Sequence, residues 1–223
     1  MEDTGSTCWE MLDAAVAGNR EARTSFAQRY EPLVRTYLAA RWRNPPLLFE
    51  LDDAVQEVFV ECLKSGGMLQ KAKPDRPGGF RPFLYGLIRN VARRFESRRP
   101  SPNRAEVEPE AIPSEEDTFS RVFDRAWAKS VMREAAERQS ANAAVAGPEA
   151  MKRLELLRLR FQEDLPIRDI AERWNADPAH LHREYAKARE EFKAALKDVL
   201  ATFHAVGGAA LERECTELLA MLA

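Results

Sequence analysis

The sequence lacks paired cysteines, long apolar runs and the alternating pattern of β-strands, and each absence excludes a class of protein. The cysteines Cys8, Cys62 and Cys215 lie far apart and form no C-x-x-C pair, so we expect packed, reduced thiols and no disulfide framework. None of the three histidines has a cysteine at metal-ligand spacing, which argues against a structural zinc site. No apolar run approaches the roughly 18 residues of a membrane helix, and the acidic start at residues 1–4 has no signal-peptide features. We therefore expect a cytoplasmic chain with no membrane insertion.

A large excess of charge is also missing. The formal net charge is −2, which argues against a free-standing duplex binder that works by bulk electrostatics. This average conceals two opposite segments. Residues 80–99 contain six arginines and one acid, Glu96, whereas residues 100–120 contain six acids and one arginine, Arg104. The inversion is the first indication of function in the chain.

Helical periodicity runs along nearly the whole sequence. The clearest apolar stripes are Phe26, Tyr30, Leu33, Val34, Tyr37 and Leu38, and then Phe80, Leu84, Leu87, Ile88, Val91 and Phe95. Prolines with interleaved acids mark a linker, and small residues predict a helix break at Ala141–Pro148. We predict an all-α protein with two helical domains, at 1–99 and 119–200, joined by an acidic flexible linker at 100–118 and followed by a C-terminal helical extension at 201–223.

Residues 165–193 have the pattern of a helix-turn-helix. Pro178 suits the first position of a helix, Asp177 before it is a natural N-cap, and Asn175 tolerates a left-handed turn. The second helix is longer and basic on its free side. The residues predicted to face base edges are His180, His182 and Arg183, and those predicted to lie nearer phosphates are Lys187 and Arg189. An ordinary helical hairpin with a solvated, mixed-charge outer face is the alternative, because Glu184, Glu190 and Glu191 are also placed on that face.

Several stretches resemble bacterial sigma factors of the extracytoplasmic-function (ECF) class. In the first half they are AVAGNREARTSFAQRYEPLVRTYLAAR (Ala15–Arg41), LDDAVQEVFVECL (Leu51–Leu63) and FRPFLYGLIRNVARRF (Phe80–Phe95). These are similar to the opening helix pair, the polymerase-docking helix and the promoter-melting, −10-reading helix of sigma region 2. The stretch RLELLRLRFQEDLPIRDIAERWNADPAHLHREYAKAREEF (Arg153–Phe192) resembles region 4, the −35 reader. FDRAWAKSVM (Phe123–Met132) and LERECTELLAML (Leu211–Leu222) are similar to a subgroup with a C-terminal tail.

The resemblance assigns two surfaces in the first half. The residues matching those that dock on a basic coiled coil of the polymerase clamp are Asp52, Asp53, Gln56 and Glu57. The alternative for these acids is a local one, because carboxylates at a helix start complement the helix dipole. The residues predicted to capture the melted −10 strand, through phosphate contacts and base stacking, are Arg81, Tyr85, Arg89, Asn90, Arg93 and Arg94. A solvated basic face with Tyr85 partly buried is the alternative.

Three further expectations follow from the resemblance. The acidic linker corresponds to a connector that threads through the polymerase toward the RNA exit path, with a plain solvated tether as the alternative. Glu184 departs from the family pattern, since it removes a cation from the DNA face. The C-terminal helix is expected to pack on the second domain, with an autoinhibitory or anti-sigma-responsive role as the alternative.

Together these features predict a sigma factor that binds core RNA polymerase and directs promoter-specific transcription initiation. The expected partners are core RNA polymerase and promoter DNA, with an anti-sigma factor as a further candidate. No cofactor, metal or small-molecule substrate is expected. The chain is not predicted to be an enzyme, since the sequence contains no recognisable nucleophile–base pair or phosphate loop. The alternatives are a stand-alone helix-turn-helix regulator and a sigma-like adaptor that binds protein only.

Overall fold

A computed structural model describes residues 8–43, 45–73, 79–98, 115–203 and 209–220. These residues form helices and contain no strand, which confirms the predicted all-α class. The chain divides into two compact units: unit 1 comprises residues 1–130 and 201–223, and unit 2 comprises residues 131–200. The predicted linker lies outside the described residues as far as residue 114, and a helix begins at Glu115.

Unit 1 contains most of the helices. They are α1 (Cys8–Val16), α2 (Arg20–Arg41), α3 (Pro45–Leu48), α4 (Leu51–Leu63), a 3-10 turn (Met68–Lys71), α5 (Phe80–Ser97), the first part of α6 (Glu115–Ala146) and α10 (Ala209–Ala220). The side chain of Asn19 caps α2 by accepting the Ala22 N–H at 2.9 Å. The two apolar stripes predicted for α2 and α5 are buried at every position, so both amphipathic helices are confirmed.

An aromatic cluster forms the centre of unit 1. Phe26 of α2 contacts Phe59 of α4 and Phe80 of α5, with ring centroids 5.7 and 6.3 Å apart. Trp127 of α6 stacks on Tyr30 of α2 at 6.2 Å. Large aromatic side chains dominate the burial energy of a core. Residues 119–130, placed by the sequence at the start of the second domain, therefore group with unit 1, and the compact units divide after residue 130.

Unit 2 contains the rest of α6, α7 (Pro148–Phe161), α8 (Ile167–Trp174) and α9 (Pro178–Phe203) up to residue 200. The predicted break at Ala141–Pro148 is wrong for most of its length, because α6 continues to Ala146. Alanine has the highest helix propensity, so a run of small residues rich in alanine extends a helix. The helix ends at Ala146. Gly147, whose φ of 101° favours glycine, follows it, and Pro148 begins α7.

The C-terminal helix α10, expected to pack on the second domain, groups with unit 1, where Cys215 and Leu218 are buried. All three cysteines are free and buried, which confirms the prediction of packed thiols. Burial raises the pKa of the Cys62 thiol to about 12. Within the described ranges, no helix combines the length and the apolar character that crossing a membrane would require.

Candidate functional site

The helix-turn-helix of unit 2 consists of α8 and α9 and the three residues between them. Asn175 adopts the left-handed conformation, with φ 47° and ψ 50°. The Asp177 carboxylate accepts the N–H groups of Ala179 at 3.2 Å and His180 at 3.0 Å, and Pro178 is the first residue of α9. These observations confirm the predicted left-handed turn and N-cap.

A small apolar core fixes α8 and α9 against α7. Its buried members are Leu156, Leu159, Ile167, Ile170, Ala171 and Leu181, and the side chains packed around them include Leu165, Trp174 and Tyr185. Gln139 of α6 adds a polar anchor, since its Nε2 donates to the backbone oxygen of Ala188 at 3.0 Å. One side of α9 therefore packs on the core of unit 2, and the opposite side faces outward.

The outward side of α9 carries all five residues that the sequence assigns to DNA. The exposed residues are His180, His182, Arg183, Lys187 and Arg189. Glu184 is less exposed than these five residues, and its effect on DNA binding stays a prediction. Its side chain is only 14% exposed and pairs with Arg153 of α7 at 3.3 Å. Lys187 pairs with the other oxygen of the same carboxylate at 2.7 Å.

The acidic start of α4 is exposed in unit 1. Asp52, 84% exposed, pairs with Arg35 of α2 at 2.7 Å, and Asp53 and Gln56 are exposed as well. Two large apolar side chains lie in the same segment and were missed by the sequence analysis. Phe49 is 86% exposed and Val60 is 47% exposed. Phe49 lies just before α4, so helical periodicity does not predict whether it is exposed. The sequence shows only that an aromatic residue lies beside several acids.

Side chains at the beginning of α5 contact other helices of unit 1. The Nε of Arg81 donates to Asp124 of α6 at 3.1 Å. The ring of Tyr85 lies 5.1 Å from Phe123 of α6 and 5.8 Å from Tyr37 of α2. Two of the six residues predicted to capture the melted strand therefore contribute to the α5–α6 contact.

The second half of α5 is more open. Asn90, Arg93 and Arg94 are exposed, whereas Arg89 is partly buried. Arg94 lies 3.0 Å from Glu61 and 3.3 Å from Glu57, both on α4. Glu57, assigned by resemblance to the polymerase, and Arg94, assigned to DNA, thus contact each other. Hydrogen bonds from Lys64 and then from Arg94 hold the pKa of Glu61 below its ordinary value.

Glu96, the lone acid among the arginines of residues 80–99, has a partner on α2. Its carboxylate accepts from Arg41 Nε at 2.6 Å and Nη2 at 3.0 Å, and from Trp42 Nε1 at 2.9 Å. Burial acts to raise the pKa of Glu96, but the hydrogen bonds from Arg41 and Trp42 outweigh it and lower the pKa overall. This acid therefore joins α5 to the end of α2.

Compared with models of known protein families and with curated proteins, the chain matches none. In the part of the chain that the structure describes, no group of three or more His, Cys, Asp or Glu side chains is arranged to hold a metal ion. The candidate functional residues lie on three surfaces, each within one unit. Unit 2 has the outward side of α9. Unit 1 has the exposed row of α4, which consists of Asp53, Gln56 and Val60, and the open half of α5, which consists of Asn90, Arg93 and Arg94.

Proposed function

We propose that this chain is a sigma factor of the ECF class, which binds core RNA polymerase and directs it to a specific set of promoters. The observation that carries the proposal is the helix-turn-helix of unit 2. Its second helix packs one side on the core, and its other side exposes Arg183, Lys187 and Arg189 together with His180 and His182. A helix held in this way has the geometry needed to enter a DNA major groove. The resemblance of the first half to region 2 extends the proposal from DNA to polymerase.

Docking on the polymerase is assigned to the exposed row of α4. Asp53, Gln56 and Val60 recur at intervals of three and four residues, so they share one side of the helix. Phe49 lies in the turn just before α4. Aromatic side chains are typical of the energetic centre of a protein interface, and charged and polar groups are typical of its rim. This combination is complementary to a basic coiled coil, the kind of surface that the resemblance implies for the clamp.

Capture of the melted strand is assigned chiefly to the open half of α5. Asn90, Arg93 and Arg94 supply the polar and cationic contacts of the strand, with Arg94 exchanging its carboxylate partners for phosphate. Arg81 and Tyr85 support this surface from the contact with α6. In this proposal the chain works in the cytoplasm and is not itself an enzyme, because the polymerase performs the chemistry.

A second candidate is a sigma-like adaptor that binds proteins and not DNA. It is favoured because two arginines assigned to DNA already pair with acids inside unit 1. Arg81 pairs with Asp124, and Arg94 contacts two carboxylates of α4. An adaptor of this kind would retain the exposed row of α4 and would support no promoter-specific transcript. The two candidates therefore differ in transcription and agree in the use of α4.

Co-purification with core RNA polymerase tests the docking assignment. We expect the full-length chain to be retained by immobilised core polymerase and Asp53→Arg to lose at least about tenfold in affinity, since a buried like-charge contact costs more than 1.4 kcal/mol. Asp13→Arg is the matched control, because Asp13 is an exposed acid of α1 in the same unit. Retention of Asp53→Arg at the wild-type level, with both variants equally stable, would contradict docking through α4. Failure of the wild-type chain to bind would contradict the proposal itself.

A further inference from the structure

Glu184 raises a charge problem for DNA reading by α9. It lies four residues after His180 and three before Lys187, so it shares a side of the helix with two residues assigned to DNA. A carboxylate close to the DNA backbone repels phosphate and lowers affinity. Something must therefore hold the Glu184 carboxylate back and neutralise it if this side of α9 is to bind DNA.

Arg153 of α7 occupies the position to do so. Its Nη1 lies 3.3 Å from Glu184 Oε2, and its Nη2 lies 2.7 Å from Glu191 Oε1. Glu184 and Glu191 are seven residues apart, which is two helical turns on the same side of α9. A planar guanidinium with several donors can bind two such carboxylates at once, whereas a lysine ammonium is a single point charge. Arg153 is 18% exposed, so water screens these contacts only in part.

Lys187 shares the same carboxylate. Its Nζ lies 2.7 Å from Glu184 Oε1, and its side chain is largely exposed. Hydrogen bonds from Lys187 and then from Arg153 keep the pKa of Glu184 below its ordinary value, so the carboxylate is charged at neutral pH. When Lys187 turns to a DNA phosphate, Glu184 loses one cation and keeps Arg153.

We infer that Arg153 is a positioning residue for DNA recognition, which retains the Glu184 carboxylate on the α7 side of α9 and leaves Lys187 able to bind phosphate. The inference rests on the proposed function and adds a residue to it that does not touch DNA. Without Arg153, Glu184 would compete with phosphate for Lys187. The role differs from simple stabilisation, because it depends on the charge of Glu184 and not on the packing of α7.

Three variants of the full-length chain separate these roles. Arg153→Gln removes the cation and leaves Glu184 charged. The double variant Arg153→Gln/Glu184→Gln also removes the carboxylate charge. Arg158→Gln is the matched control, since Arg158 lies on the same helix and pairs with Glu155 and Glu163, not with α9. Thermal unfolding of each variant shows whether unit 2 remains folded.

The probe is genomic DNA of the source organism. Holoenzyme reconstituted from core polymerase and the wild-type chain selects fragments, and the affinity for the most enriched fragment is then measured with each variant at low and high salt. We expect Arg153→Gln to weaken binding about tenfold at low salt and less at high salt, as screening predicts. The double variant is expected to recover to within about threefold of wild type, and Arg158→Gln to bind as wild type does.

Two results would overturn the inference and leave the proposed function intact: wild-type affinity of Arg153→Gln, or an equal loss in the single and double variants, which would indicate a structural role alone. If wild-type holoenzyme enriches no fragment, the proposed function fails, and the inference fails with it.

Discussion

Glu96→Ala is expected to lower the free energy of unfolding of unit 1 by about 3 kcal/mol. The Arg41 side chain is 8% exposed, and its guanidinium donates twice to the Glu96 carboxylate and once to the Tyr37 hydroxyl, a bond that the substitution leaves in place. Removal of one partner of a buried ion pair costs about 3–5 kcal/mol, since the other charge stays out of water without that compensation. The Glu96 side chain is 31% exposed. Water can therefore reach Arg41 once the carboxylate is removed, and the lower end of that range applies. The hydrogen bond from Trp42 is lost in the same substitution.

Glu31→Ala is the matched control in the same unit. Glu31 pairs with Arg35 at 2.6 Å one turn along α2, with both side chains about 40% exposed: 38% for Glu31 and 44% for Arg35. An exposed pair of this kind contributes less than about 1 kcal/mol. The two substitutions remove the same carboxylate. The difference between them therefore measures the burial of the Arg41–Glu96 pair together with the lost Trp42 hydrogen bond, since Arg35 keeps Asp52 as a partner.

Tryptophan fluorescence in urea provides the assay. Three of the four tryptophans, Trp9, Trp42 and Trp127, lie in unit 1, and Trp174 lies in unit 2. In a Trp174→Phe background the signal therefore reports on unit 1 alone. This separation matters because a chain of two compact units need not unfold in a single transition. A loss below about 1 kcal/mol for Glu96→Ala, equal to the loss for Glu31→Ala, would refute the reasoning.

The same pair predicts a pH dependence of stability. The folded pKa of Glu96 lies below its ordinary value of 4.5. Its contribution is therefore present above the unfolded pKa and is lost as the pH falls through the folded pKa. We expect the gap between wild type and Glu96→Ala to be constant from pH 7 to about pH 5 and to narrow at lower pH. A gap that is independent of pH down to pH 3 would show that the carboxylate charge is not its source.

Two further predictions concern exposed and strained positions. Phe49→Ala is expected to weaken binding to core polymerase about tenfold without changing thermal stability, because an exposed aromatic anchor contributes to an interface and not to the core; unchanged binding would remove Phe49 from the docking surface. Asn175→Ala is expected to destabilise unit 2 by about 1 kcal/mol, whereas Asn175→Gly should be neutral, since alanine resists the left-handed conformation and glycine does not. Urea unfolding checks both, with the Trp174 signal obtained as the difference between each variant with and without Trp174→Phe. Equal losses would contradict the conformational explanation.

Local patterns in the sequence predicted local structure well. The stripes of α2 and α5 were predictable because every fourth or third residue must be apolar for an amphipathic helix to join a core. The turn at Asn175 and the cap at Asp177 were predictable because each depends on one residue and its immediate neighbours. The predicted break before Gly147 is wrong because a run of small residues that is rich in alanine favours a helix and not a loop.

Contacts between residues that are far apart in the chain could not be predicted from the sequence. The orientation of Glu184 depends on Arg153, which lies 31 residues away on another helix, and no local signal pairs them. Asp124, the partner of Arg81, and Phe123, one partner of Tyr85, lie on α6, which follows the acidic segment. The exposed aromatic side chain of Phe49 was equally unpredictable, since exposure of an apolar residue follows from what the rest of the fold leaves uncovered.

Run-off transcription with core RNA polymerase is the measurement that tests the proposed sigma function most directly. The templates are genomic fragments enriched by the reconstituted holoenzyme, and core polymerase without the chain is the control. The sigma proposal predicts a transcript of defined start on these fragments only when the full-length chain is present. Binding of the chain to polymerase with no such transcript would contradict it and would favour an adaptor.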